Sequence, residues 1–121
     1  MKVLVVDDSK VARTIIRAVI LDKHPDWSVT EAPNGAEALA LASQEPFDIF
    51  SIDINMPGVD GFGLVEQLRA QGARGRMALF SANVQEPVRQ RAADLGVAFI
   101  SKPVTPVSVE ALLAAVGHES P

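Results

Sequence analysis

Apolar residues in this 121-residue chain fall into five short runs, and between the runs they recur every three or four positions. Lys2–Val6 is almost continuously apolar, the pattern of a strand covered on both faces. Ser9 is a good N-cap, and Val11, Ala12, Ile15, Ile16, Val19 and Ile20 then form one face of an amphipathic helix, with Lys10, Arg13, Thr14 and Arg17 on the other. Pro25 falls in the loop that follows. Trp27–Glu31 alternates more than the other runs do, which suits an edge strand. Asn34 and Glu37 resemble a capping box opening a helix that carries Ala38, Leu39, Leu41 and Ala42 and stops near Pro46. Phe47–Ile52 is a second buried strand, followed by the turn-rich stretch from Asn55 to Gly61. Leu64, Val65 and Leu68 mark a third helix, ending around Gly72.

Met77–Phe80 predicts the fourth strand. Pro87 suits the first position of a helix whose end is marked by Gly96, with Val88, Ala92 and Leu95 facing inward. Val97–Ser101 is the fifth strand. Thr105 and Pro106 open the last helix, which carries Val109, Leu112, Leu113 and Val116 at i, i+3, i+4 and i+7. Five strand–helix units predict an α/β fold, a doubly wound parallel sheet with right-handed crossovers. Periodicity alone leaves the strand order open.

Composition narrows the class. The length is that of one domain, assigned to residues 1–116, with 117–121 a polar, flexible tail. Fifteen acidic and 11 basic side chains give a net charge of −4. There is no run of Lys or Arg, so direct nucleic-acid binding is not expected. With no cysteine, disulfides and thiolate metal sites are excluded. No apolar stretch approaches the roughly 18 residues of a membrane span, and the chain opens into a strand without the pattern of a secretory leader. A cytoplasmic protein is expected.

Asp7, Asp8, Asp53, Ser81 and Lys102 each end an apolar run or follow it by one or two residues. In a parallel sheet the carboxyl ends of the strands share one edge, where such folds bind ligands. Singly, each residue is ordinary: an Asp doublet after a strand is often a loop start and a helix cap, Asp is common in turns, Ser at a strand end is usually a cap, and Lys before Pro is usually solvated. Together they describe a site. Three crowded carboxylates repel one another unless a cation intervenes. Oxygen ligands without Cys or His select Mg²⁺ or Mn²⁺ over Zn²⁺. An ammonium and a hydroxyl beside them suit an anion, so the set fits phosphoryl transfer, in which positioning and charge neutralisation dominate. A carboxylate can itself accept the phosphoryl group. Asp53, ending the central-looking strand, is the natural acceptor, and Asp7 and Asp8 are better suited to holding the ion. His24 and His118 read as surface groups, and Gly58, Gly61 and Gly63 as turn glycines matching no dinucleotide or P-loop pattern.

The segments VVDDSKVAR, SIDINMPGVDGFGLVEQLR, FSAN and FISKP resemble the receiver domain of two-component response regulators, over Met1 to about Val116. The resemblance implies a flavodoxin-like, five-stranded parallel sheet in the order 2-1-3-4-5 with five helices. It implies Asp53 as phosphoacceptor, and Mg²⁺ held by Asp8 and Asp53, by Asp7 through water and by the Asn55 carbonyl. Ser81 and Lys102 would hold phosphoryl oxygens, and a cis Lys102–Pro103 bond would aim the lysine. Small Ala82 would leave the phosphoryl group accessible, and Asn55 and Asn83 occupy positions that tune its lifetime.

Phe99 falls at the family's switch-aromatic position, often Tyr. With no Tyr in the chain, its rotamer change must rest on packing. Phosphorylation would draw Ser81 inward, turn Phe99 into the vacated space and alter the face made by the fourth helix, fifth strand and last helix. Arg89 and Arg91 on that fourth helix read either as contacts for a partner or as solvated charges.

The implied function is a phosphorylation-dependent signalling switch. Its donor would be a sensor histidine kinase or a histidine phosphotransfer protein, its target a further protein, with homodimerisation open. No enzyme activity is expected beyond self-phosphorylation from a donor and autodephosphorylation. The alternatives are a phosphorylation-silent interaction module, or a receiver cut from a larger multidomain regulator or hybrid kinase. A Mg²⁺-dependent phosphatase would place Asp-x-Asp after the first strand, where this chain has Asp-Asp-Ser. A flavin protein lacks its phosphate loop and stacking aromatics here.

Overall fold

The computed structural model describes residues 1–116; the tail assigned to 117–121, with His118, lies outside the described residues. Strands and helices alternate along the chain: β1 Lys2–Val6, α1 Lys10–Lys23, β2 Ser28–Ala32, α2 Gly35–Gln44, β3 Ile49–Asp53, α3 Gly61–Ala70, β4 Arg76–Ser81, α4 Glu86–Leu95, β5 Ala98–Ser101 and α5 Pro106–Val116. The five strands pair in parallel in the order β2-β1-β3-β4-β5. β2 is thus an edge strand, as its alternation predicts.

The two-residue period of β1 sorts its side chains between two cores. Val3 and Val5 join Ile16 and Ile20 of α1 and Val109, Leu112, Leu113 and Val116 of α5. Leu4 and Val6 meet Ala38 of α2, Leu64, Val65 and Leu68 of α3 and Ala92 of α4. Helices therefore cover both faces, which is why the central strands read as unbroken apolar runs. None of the described helices is long and apolar enough to cross a membrane.

Several boundaries differ from the pattern-based reading. β2 begins at Ser28, because Trp27 stacks on His24 with ring centroids 3.8 Å apart. β3 begins at Ile49, since Phe47 packs as a loop residue in the core and Asp48 accepts from the Lys2 amide. β4 gains a residue at each end and β5 starts at Ala98. α4 starts at Glu86 with Gln85 as N-cap, so Pro87 is the second helical residue. Gly61 and Gly63 are not turn residues but open α3 behind the N-cap Asp60. A Cβ on Gly61 would stand 2.7 Å from the Ile54 Cα and 2.9 Å from the Asp53 carbonyl oxygen, so the helix can start this close to β3 only with glycine there.

Candidate phosphoryl-acceptor site

Backbone hydrogen bonds continue the parallel ladder past the strand ends. Asp7 N–H donates to the Ala32 carbonyl, Ile54 N–H to that of Phe80, and Lys102 N–H to that of Ser81. These bonds, with the registers Val6↔Ile52, Asp53↔Phe80 and Ser81↔Ser101, bring the acidic, hydroxyl and basic residues to one edge. Asp7, Asp8 and Asp53 each present a carboxylate oxygen, and these oxygens lie within 4.8 Å of one another. Asp7 and Asp53 are buried, each 2% exposed, and Asp8 faces solvent. A cavity of about 680 Å³ lies elsewhere, lined by the α2–β3 and α3–β4 loops, and none of these carboxylates borders it.

Lys102 reaches the cluster from the β5–α5 loop, its Nζ 2.9 Å from Asp53 Oδ1. The Lys102–Pro103 bond is cis. Asn55 donates its backbone N–H to the same Asp53 oxygen at 3.1 Å. Asp7 accepts from the Ser9 amide at 2.9 Å. Burial nonetheless pushes the Asp7 carboxyl up from 3.8 to about 6; the Ser9 hydrogen bond and Lys102 oppose this, and the neighbouring Asp53 and Asp8 add to it. One ammonium therefore leaves the three carboxylates short of positive charge. An all-oxygen donor set in that condition fits a hard divalent cation, which would supply charge neutralisation.

Ser81 is buried, and its hydroxyl exchanges hydrogen bonds with Asn83 of the β4–α4 loop, donating to the carbonyl at 2.9 Å and accepting from the amide at 3.0 Å. Phe99 on β5 is half-buried. Arg89 Cζ lies 5.1 Å from its ring centroid, and Arg91 Cζ lies 4.3 Å from that of Phe62 on α3. Both arginines thus have aromatic partners within the domain. Arg13 is a contributor not foreseen in the sequence. Its Nη1 donates to the Asp7 carbonyl at 2.7 Å and its Nε to Glu31 at 3.0 Å, tying the β1–α1 junction to β2. An arginine on the polar face of a helix gives no sign of such a contact.

The profile of the response regulator receiver domain matches residues 3–116. The chain belongs to the response regulator receiver family. Among curated relatives, the receiver domain is 31% identical over 124 residues to the transcriptional regulatory protein ResD of Bacillus subtilis, covering 98% of this chain and 50% of ResD. It is also 31% identical over 114 residues to the cyclic di-GMP phosphodiesterase response regulator RpfG of Xanthomonas campestris pv. campestris, covering 92% of this chain and 30% of RpfG. The receiver domain thus spans half or less of these relatives' length. Solved structures agree with the fold: the chemotaxis protein CheY4 of Vibrio cholerae superimposes with a TM-score of 0.83 at 30% identity, covering 95% of this chain and 97% of that one. The response regulator domain of Thermotoga maritima CheB gives 0.79 at 27% identity, with 99% and 98% covered. Receiver domains bind Mg²⁺ at an acidic pocket and interact with histidine kinases or phosphotransfer proteins.

Proposed function

We propose that this receiver domain accepts a phosphoryl group on Asp53 from a phosphohistidine and signals through the face formed by α4, β5 and α5. The observation that carries this reading is the buried Asp53 carboxylate beside Asp7 and Asp8, with Lys102 2.9 Å away. Asp7, Asp8, Asp53 and the Asn55 carbonyl would hold Mg²⁺, which when bound neutralises charge on the phosphoryl oxygens.

The contacts of Lys102 and Asn55 both fall on Asp53 Oδ1, which leaves Oδ2 to form the new bond. As the P–O bond forms, the P–N bond to the donor imidazole breaks, and its electron pair stays on the imidazole nitrogen. Lys102 then exchanges carboxylate for phosphoryl oxygen, and the Ser81 hydroxyl leaves Asn83 to donate to another. Attack of water on phosphorus returns the Asp53 carboxylate and releases phosphate. The donor is a sensor histidine kinase or a histidine phosphotransfer protein, and the target is a further protein or a linked domain.

Calorimetric titration with beryllofluoride, a phosphoryl mimic, tests the assignment. One equivalent should bind only with Mg²⁺ present, and Asp53→Asn should abolish it. Binding that survives Asp53→Asn contradicts the acceptor assignment.

A further inference from the structure

Arg89 sits in the first turn of α4, exposed, yet it joins two parts of the molecule that the proposed switch must move. Its guanidinium lies over the Phe99 ring, Cζ 5.1 Å from the centroid, inside the roughly 6 Å range of a cation–π contact. Its Nε–H donates to the Val84 carbonyl at 3.1 Å, in the loop where Asn83 engages the Ser81 hydroxyl. One rigid, planar group therefore spans the aromatic residue and the β4–α4 loop. With phenylalanine instead of tyrosine at position 99, the ring has no hydroxyl of its own for a hydrogen bond, and the guanidinium supplies its polar contact.

We propose that Arg89 is a positioning residue, a latch that holds Phe99 and the Ser81–Val84 loop in the resting arrangement. The proposal rests on the phosphoryl-acceptor reading of Asp53. Turning Phe99 inward takes the ring away from the guanidinium, and moving Ser81 toward a phosphoryl group displaces the loop that Arg89 holds. Both contacts favour the resting state alone, so they lower the apparent affinity for the phosphoryl group by the factor they contribute to the equilibrium.

The sign of the effect distinguishes a latch from a plain charge. Removing a positive charge near an anion site weakens anion binding; removing a resting-state latch strengthens it. Beryllofluoride affinity with saturating Mg²⁺ is measured for the wild type, Arg89→Gln, Phe99→Leu and the double variant. Arg89→Gln is expected to bind about two- to five-fold tighter, and the gain should shrink in the Phe99→Leu background, where only the Val84 contact is left to lose. Unchanged or weaker binding in Arg89→Gln overturns the latch, as does a gain of undiminished size without the ring.

If the wild type binds no beryllofluoride, the acceptor reading fails, and the latch is then judged from nuclear magnetic resonance of the free protein. Arg89→Gln should move the Phe99 ring and the Ser81 and Asn83 amide signals together, with Arg91→Gln as a control that moves neither. Unmoved signals in Arg89→Gln overturn the latch on its own terms.

Discussion

Replacing Asp7 by asparagine removes one buried charge and little else, because Asn fills nearly the same volume and its carbonyl can still accept from the Ser9 amide. Burial lifts the Asp7 carboxyl from 3.8 to about 6 in the metal-free protein. Between those values the folded chain holds a proton that the unfolded chain has released, so stability falls as pH rises through this window. Above pH 7 the buried charge costs the folded state about 3 kcal/mol, and at pH 4.5 about 1 kcal/mol. Asp7→Asn is free of this cost. In chelator-treated protein it should be more stable than the wild type, with a gap about 2 kcal/mol larger at pH 7.5 than at pH 4.5. Urea unfolding of both proteins at the two pH values reads the gap directly. Excess Mg²⁺ should then stabilise the wild type more than the variant, since ligand binding to the folded state adds stability by mass action. A gap independent of pH, or one that narrows as pH rises, would show that Asp7 is not held protonated by burial.

Other positions give sharper structural tests. Gly61→Ala places a methyl group 2.7 Å from the Ile54 Cα. It should lose about 1–3 kcal/mol in denaturant unfolding and weaken Mg²⁺ binding by shifting the end of β3; wild-type values for both would contradict the close packing. Arg13→Met removes the donor to the Asp7 carbonyl and the nearer of the two basic partners of Glu31, with an expected loss of about 1–3 kcal/mol in the same assay. Ser9→Ala deletes the acceptor of the Ala12 amide at the start of α1, and thermal unfolding should show a loss of about 1 kcal/mol.

The central fold was legible because the physics that sets it is local. Buried parallel strands need continuous apolar runs, and helices packed on one face need a 3.6-residue period, so all ten elements can be read from Lys2 to Val116. The ends were less legible. Phe47 is apolar because it packs in the core from a loop, and a run of apolar residues cannot separate that from a strand. Gly61 reads as part of a turn from its neighbours, yet what demands glycine there is the backbone of Ile54, a tertiary contact. The juxtaposition of Asp7, Asp8 and Asp53 followed from topology, since parallel strands deliver their carboxyl ends to one edge. Arg13, Arg89 and Arg91 did not follow. Each lies on the polar side of its helix, and its partner (Glu31, Phe99 or Phe62) is set by three-dimensional packing that no local pattern records.

Intact mass after incubation with acetyl phosphate, with and without Mg²⁺, for the wild type and Asp53→Asn, decides whether Asp53 is the phosphoryl acceptor. One added phosphoryl group is expected, seen only with Mg²⁺ and only when Asp53 is present. An adduct that persists in Asp53→Asn, or that forms equally without the metal, would contradict this assignment.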